Sequence, residues 1–172
     1  MRISTAMTEL ETRASEALQA ILARVSGVRL NEIRREPAPP HRAFDLFAQV
    51  DVFGHRHTLA CKVKVLTSPR QLRMALDHMH DGVAELDGNA IPILIAPCLS
   101  LEAQEICKHA HVGFLDLEGN ARLVLGEVFI GVRSHPRRNV DRASAPHAGA
   151  HMIDQDNLRH FPAEDAEVAL IA

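Results

Sequence analysis

The sequence predicts a single α/β domain, a mixed β-sheet flanked by helices that ends in a hairpin and is followed by a tail. Three observations carry this expectation. Apolar residues near the start recur at helical spacing, three strand-like runs follow, and two further helical stretches then alternate with apolar runs. The order helix, three strands, helix, strand, helix, strand, hairpin requires a mixed sheet with helices on its faces. With 172 residues the chain suits one core in residues 1–133, leaving 134–172 as a flexible or partner-dependent tail.

The elements follow from local chemistry. From Thr5 to about Val25, the residues Met7, Leu10, Ala14, Leu18, Ile21, Leu22 and Val25 form one helical stripe, with Thr8 and Glu11 spaced as a capping box and Gly27 as a stop. Residues 28–36 read as a strand ended by Pro37, Pro39 and Pro40. Residues 43–53 and 57–66 are strand-like and meet at Phe53-Gly54-His55-Arg56, where Gly54 suits the positive φ of a hairpin turn. Ser68-Pro69-Arg70-Gln71 is a helix start, and Leu72, Leu76, Met79 and Val83 form the face that follows. Ile91 to Ala96 is apolar throughout, as suits a strand covered on both faces. Ser100 caps a short helix, Val112 to Leu117 is the next strand, and Glu118-Gly119-Asn120 turns into a terminal hairpin over 123–125 and 128–132. Beyond Ser134 the periodicity stops, and only Val168 to Ile171 has the character to dock.

Composition excludes several classes. A hydrophobic share of 47% and a charged share of 24% are those of a globular protein, and no apolar run nears the roughly 18 residues of a membrane span. The acidic residues of MRISTAMTELETR do not fit a signal peptide, so a cytoplasmic location is expected. Cys61, Cys98 and Cys107 are odd in number and lack C-x-x-C spacing, against both a disulfide framework and a zinc ribbon. A net charge of -3 gives no global attraction to nucleic acid, so any such binding is local. With no Trp and no Tyr, only six Phe and the arginines are left to stack on bases, which disfavours single strands.

Asp45 opens the second strand-like run, and the third ends in Cys61-Lys62-Val63-Lys64. Alternation puts Lys62 and Lys64 on one face, and the hairpin can bring Asp45 near them. In these residues and this element order the sequence resembles the PD-(D/E)XK restriction-endonuclease-like superfamily, whose site is an Asp followed by an acidic-x-Lys tripeptide on the next strand. A second stretch is Ile91-Pro92-Ile93-Leu94-Ile95-Ala96-Pro97, followed by Val112 to Leu123 with its D-L-x-G-N-x-R-L pattern. It resembles a bacterial family of such domains, often fused to winged helices and related to antitoxins of type IV abortive-infection systems. The resemblance implies an αβββαβ core. In an active member two carboxylates hold Mg²⁺, and the lysine orients or deprotonates water.

Lys62 stands where the second carboxylate is expected. An ammonium has no lone pair for a hard cation and repels it, so Asp45, Lys62 and Lys64 read as a degenerate catalytic set. Asp51 is the nearest substitute acid but belongs toward the far end of its strand. The leading expectation is therefore a non-catalytic binding or regulatory module in defence or transcription, with no cofactor. DNA contacts are expected from Lys62, Lys64, Arg70, Arg73 and Arg122, and a separate winged-helix or toxin protein is the expected partner. One alternative is an active nuclease in which Asp45 binds Mg²⁺. Another is a dimerisation module whose sheet edge or terminal hairpin pairs with a second copy.

Blander readings stand beside these. Asp45 with Lys64 is also an ordinary cross-strand ion pair, Arg70 and Arg73 an ordinary solvated helix face, and Asp116, Gly119, Asn120 and Arg122 ordinary turn chemistry as much as a recognition or dimer surface. The pairs His55 and His57, His78 and His80, and His109 and His111 lack a spaced acid or Cys and read as scattered surface histidines. Arg137, Arg138 and Arg142 form a small basic patch in the tail.

Overall fold

A computed structural model describes residues 2–35, 43–66, 68–86, 89–133 and 166–170. Helix α1 (Arg2–Leu22) lays Leu10, Ala14, Ala17, Leu18, Ile21 and Leu22 into the core. It starts before the expected cap. Thr8 lies inside the helix, where its carbonyl accepts from the Thr12 hydroxyl at 2.8 Å, so the Thr8/Glu11 pair is not the N-terminal box that its spacing suggested.

Three antiparallel strands follow, β1 (Val28–Arg35), β2 (Leu46–Val52) and β3 (His55–Val63). Helix α2 (Pro69–Ala84) crosses to β4 (Ala90–Ala96), and α3 (Leu101–His109) crosses to β5 (Gly113–Asp116). These crossovers make β3, β4 and β5 parallel, whereas β6 (Ala121–Leu125), β7 (Val128–Val132) and β8 (Ala166–Leu170) add in antiparallel fashion. Among the described residues the eight strands lie in chain order from β1 to β8, so the mixed sheet and the αβββαβ start follow the predicted order.

Strand alternation divides the core in two. Leu46, Ala48, Val50, Leu59, Cys61, Val63, Ile93, Ile95, Leu115, Leu123 and Leu125 face α1. Ala60, Leu94, Ala96 and Phe114 face the opposite side and pack with Leu72, Leu76 and Met79 of α2 and Cys107 of α3. The helix starts are as their serines imply: Ser68 accepts from the Gln71 N–H at 3.3 Å and Ser100 from the Ala103 N–H at 3.2 Å. Within the tail, residues 166–170, which overlap the stretch marked as able to dock, form β8. The expectation for 134–165, including the Arg137, Arg138 and Arg142 patch, lies outside the described residues.

Candidate functional site

The parallel strands end at a common edge, with Val63 beside Ile95 and Ala96 beside Asp116, and α2 and α3 both start from it. In sheets with parallel strands this carboxyl edge is the usual ligand crevice. Asp45 reaches it from the neighbouring hairpin. Its N–H donates to the Cys61 carbonyl at 2.8 Å, which extends the β2–β3 ladder by one residue and fixes the side chain beside the end of β3.

Both carboxylate oxygens of Asp45 are engaged. Oδ1 accepts from Lys62 Nζ at 3.1 Å, and Oδ2 accepts from the Val63 N–H at 2.8 Å. The Asp45 and Lys62 side chains are only 18% and 19% exposed, so this pair is shielded more than a surface ion pair, and removing one partner would leave the other charge poorly solvated. Lys64 lies two residues on, on the same strand face and half-buried, with its N–H tied to the Ile95 carbonyl at 2.9 Å. Among the described residues its ammonium has no ion-pair partner.

The other basic candidates are distributed around this pair. Arg70 is the second residue of α2 and Arg73 lies one turn in, both exposed. The register runs straight across the sheet from Lys62 to Leu94, Phe114 and Arg122. Arg122 is therefore on the same sheet face as Lys62 but three strand spacings away, about 14 Å. Its guanidinium sits 5.4 Å from the centroid of the Phe129 ring. The structure thus joins Asp45 to Lys62, places Lys64 and Arg70 at the same edge, and holds Arg122 apart at the end of a row.

Among the described residues the site does not make a divalent-metal centre. Asp45 supplies a single carboxylate, and its oxygens already accept from an ammonium and an amide. Asp51 is six residues along β2, about 20 Å away, and is bound there by Asn31 Nδ2 at 2.9 Å and approached by Arg56 at 3.7 Å. Among the described residues no group of three His, Cys, Asp or Glu side chains could hold a metal ion. The histidine pairs follow the same pattern: His80 Nε2 hydrogen-bonds the Ala110 carbonyl at 2.9 Å, and His57 packs against Gly126.

The D-L-x-G-N stretch turns inward rather than outward. Asp116 is fully buried, and its carboxylate accepts from the N–H groups of Leu99, Glu118 and Asn120 at 3.1, 3.1 and 2.8 Å and from Asn120 Nδ2 at 2.9 Å. Gly119, at φ 101°, closes the turn. Burial lifts the Asp116 carboxyl above its ordinary value, and the hydrogen bonds from Asn120, Leu99 and Glu118 oppose the rise. Asp116 and Asn120 therefore shape the carboxyl edge from beneath, by tying the turn after β5 to the loop before α3. Burial also pushes the Cys61 thiol up to about 12, helped by the charge of Asp45, and pushes Cys107 up to about 12.

No family model and no curated protein sequence matches the chain. Among solved structures, a repair endonuclease from Pyrococcus abyssi aligns with 59% of this chain and 45% of its own, at 21% identity and a TM-score of 0.37. EndoMS in apo form aligns with 60% of this chain and 45% of its own, at 17% identity and a TM-score of 0.34. The aligned part is thus less than half of either of those chains. Among the described residues no helix is long and apolar enough to cross a membrane.

Proposed function

We propose that this chain is a restriction-endonuclease-like domain that binds duplex DNA at the carboxyl edge of β3–β5 without cleaving it. One observation carries the reading: the Lys62 ammonium lies 3.1 Å from Asp45 Oδ1, where a catalytic cation would need to approach. The pair neutralises itself, which leaves Lys64, Arg70 and Arg73 as the local cations for phosphate, with Arg122 at the end of the row. A regulatory role in defence or transcription, with sequence-reading supplied by a separate winged-helix or toxin partner, fits a domain whose own contacts are to the backbone.

A gel-shift series with duplex DNA tests the binding. Retention is expected at low ionic strength, falling with salt and indifferent to EDTA, and weaker in Lys64→Glu by at least about tenfold. No retention at low salt overturns it. Incubation with plasmid and Mg²⁺ or Mn²⁺ tests the absence of cleavage. Cutting that disappears in Asp45→Ala would instead establish the nuclease alternative. Lys62→Glu restores a two-carboxylate site, so calorimetry should find divalent-metal uptake in that variant but not in the parent.

A further inference from the structure

Apart from β8, the sheet runs from β1 to β7, and these two strands differ in how their outward edges are guarded. β1 is interrupted by a bulge between Leu30 and Glu32 and carries Arg29, Glu32, Arg34 and Arg35, features that discourage pairing with another strand. β7 has neither. Val128-Phe129-Ile130-Gly131-Val132 is uncharged, and its Val128, Ile130 and Val132 side chains belong to the core. A bare edge of this composition invites a further strand. The strand that covers it is β8, in register from Val128 beside Leu170 to Val132 beside Ala166.

The connection is unlike a hairpin. Val132 and Ala166 are direct partners, so two to five residues would close the turn, yet residues 133–165 lie between them. A connection so much longer than the turn needs does not by its length dictate whose β7 the strand takes. Among the described residues β8 has one strand neighbour, β7.

We infer that the outer edge of β7 is a strand-acceptor site, and that its second occupant is β8 of another copy of this chain. Each copy carries the strand whose register already matches, so reciprocal exchange completes both β7 edges by the same pairing and closes on a two-fold axis. Since the tethered strand competes at an effective concentration at or below about 1 mM, exchange rises with protein concentration.

The test uses two variants of the full chain, each in a Cys98→Ser background to remove the exposed thiol. One carries Phe129→Cys and the other Ala169→Cys, which are directly paired positions. Mixed, concentrated and mildly oxidised, they should give a covalent heterodimer joined 129 to 169, increasing with concentration. Glu167→Pro in the second variant, which removes the N–H that β8 directs at Gly131 of β7, should reduce that product at least about tenfold. Because the Phe129 substitution touches the ring under Arg122, light scattering on the unsubstituted chain is a second measurement, with a concentration-dependent dimer expected that Glu167→Pro abolishes. A mixture yielding no 129–169 link, or a dimer indifferent to Glu167→Pro, overturns the inference. Neither outcome bears on DNA binding, which is read separately.

Discussion

Asp116 is the residue on which the carboxyl edge depends most. Asp116→Ala removes the acceptor of four N–H donors, of which that of Leu99 is buried and the others are partly so, and stranding a buried donor costs roughly 1–3 kcal/mol, so a loss of at least about 2 kcal/mol is expected in denaturant unfolding. Its titration has a definite sign. Burial raises the carboxyl above its ordinary value of 3.8, so the folded chain holds this proton more tightly than the unfolded chain. The group's contribution favours folding below 3.8 and declines as pH rises from there to the raised value. NMR titration of the Asp116 carboxyl should find its midpoint above 3.8, and an ordinary or lowered midpoint would mean that the hydrogen bonds outweigh burial. The thiols give a second residue-level prediction. Cys98 is exposed, whereas Cys61 and Cys107 are buried with thiols near 12, so Ellman's reagent at a pH of around 8 should modify one thiol in the native chain and three after denaturation.

Among the elements, the β2–β3 turn holds a bulky residue in the left-handed region. Phe53 and Gly54 adopt φ 47° and 88°, the two positive values of a type I′ hairpin, and a phenylalanine is seldom found there. Its ring lies over Gly27, which is itself at φ 87°, and the Phe53 N–H donates to the Gly27 carbonyl at 2.8 Å. Gly27→Ala would drive a methyl into the ring and strain the backbone, so a loss of about 2 kcal/mol is expected in thermal unfolding. Ser68→Ala removes the α2 cap and should cost about 1 kcal/mol. These cases show what local reading reaches. The serine caps, the hairpin at Gly54 and the shared face of Lys62 and Lys64 depend on neighbours within a few residues or on alternation, and they are legible. The Phe53 conformation is not, since propensity argues against it and the compensating contact comes from Gly27. The burial of Asp116 is hidden likewise, because its donor at Leu99 arrives through a tertiary fold, and the D-L-x-G-N pattern reads equally well as an exposed turn. The early start of α1 was obscured by Thr8 and Glu11, whose spacing imitates a cap inside a helix.

Over the whole molecule, the charge of -3 means that the proposed attraction to DNA would have to come from one region rather than from the protein's overall field. With Lys62 balanced by Asp45, contacts from Lys64, Arg70, Arg73 and Arg122 would displace about four counterions, giving a slope near -3.6 in log affinity against log salt. Lys64→Ala should weaken that slope by about 1, and an unchanged slope would move the phosphate contact away from β3.

The strict sequence of strands from β1 to β8 bears on how the chain acquires its shape. Each new strand finds its partner already made, so the protein can be assembled in the order in which a ribosome delivers it, with no early strand waiting for a late one. The short hairpins and the two helix-spanned crossovers keep the loops to be closed modest until β8, whose long lead makes it the last piece to settle. Pulse-labelled hydrogen exchange during refolding should accordingly protect the β2–β3 amides well before those that β7 shares with β8.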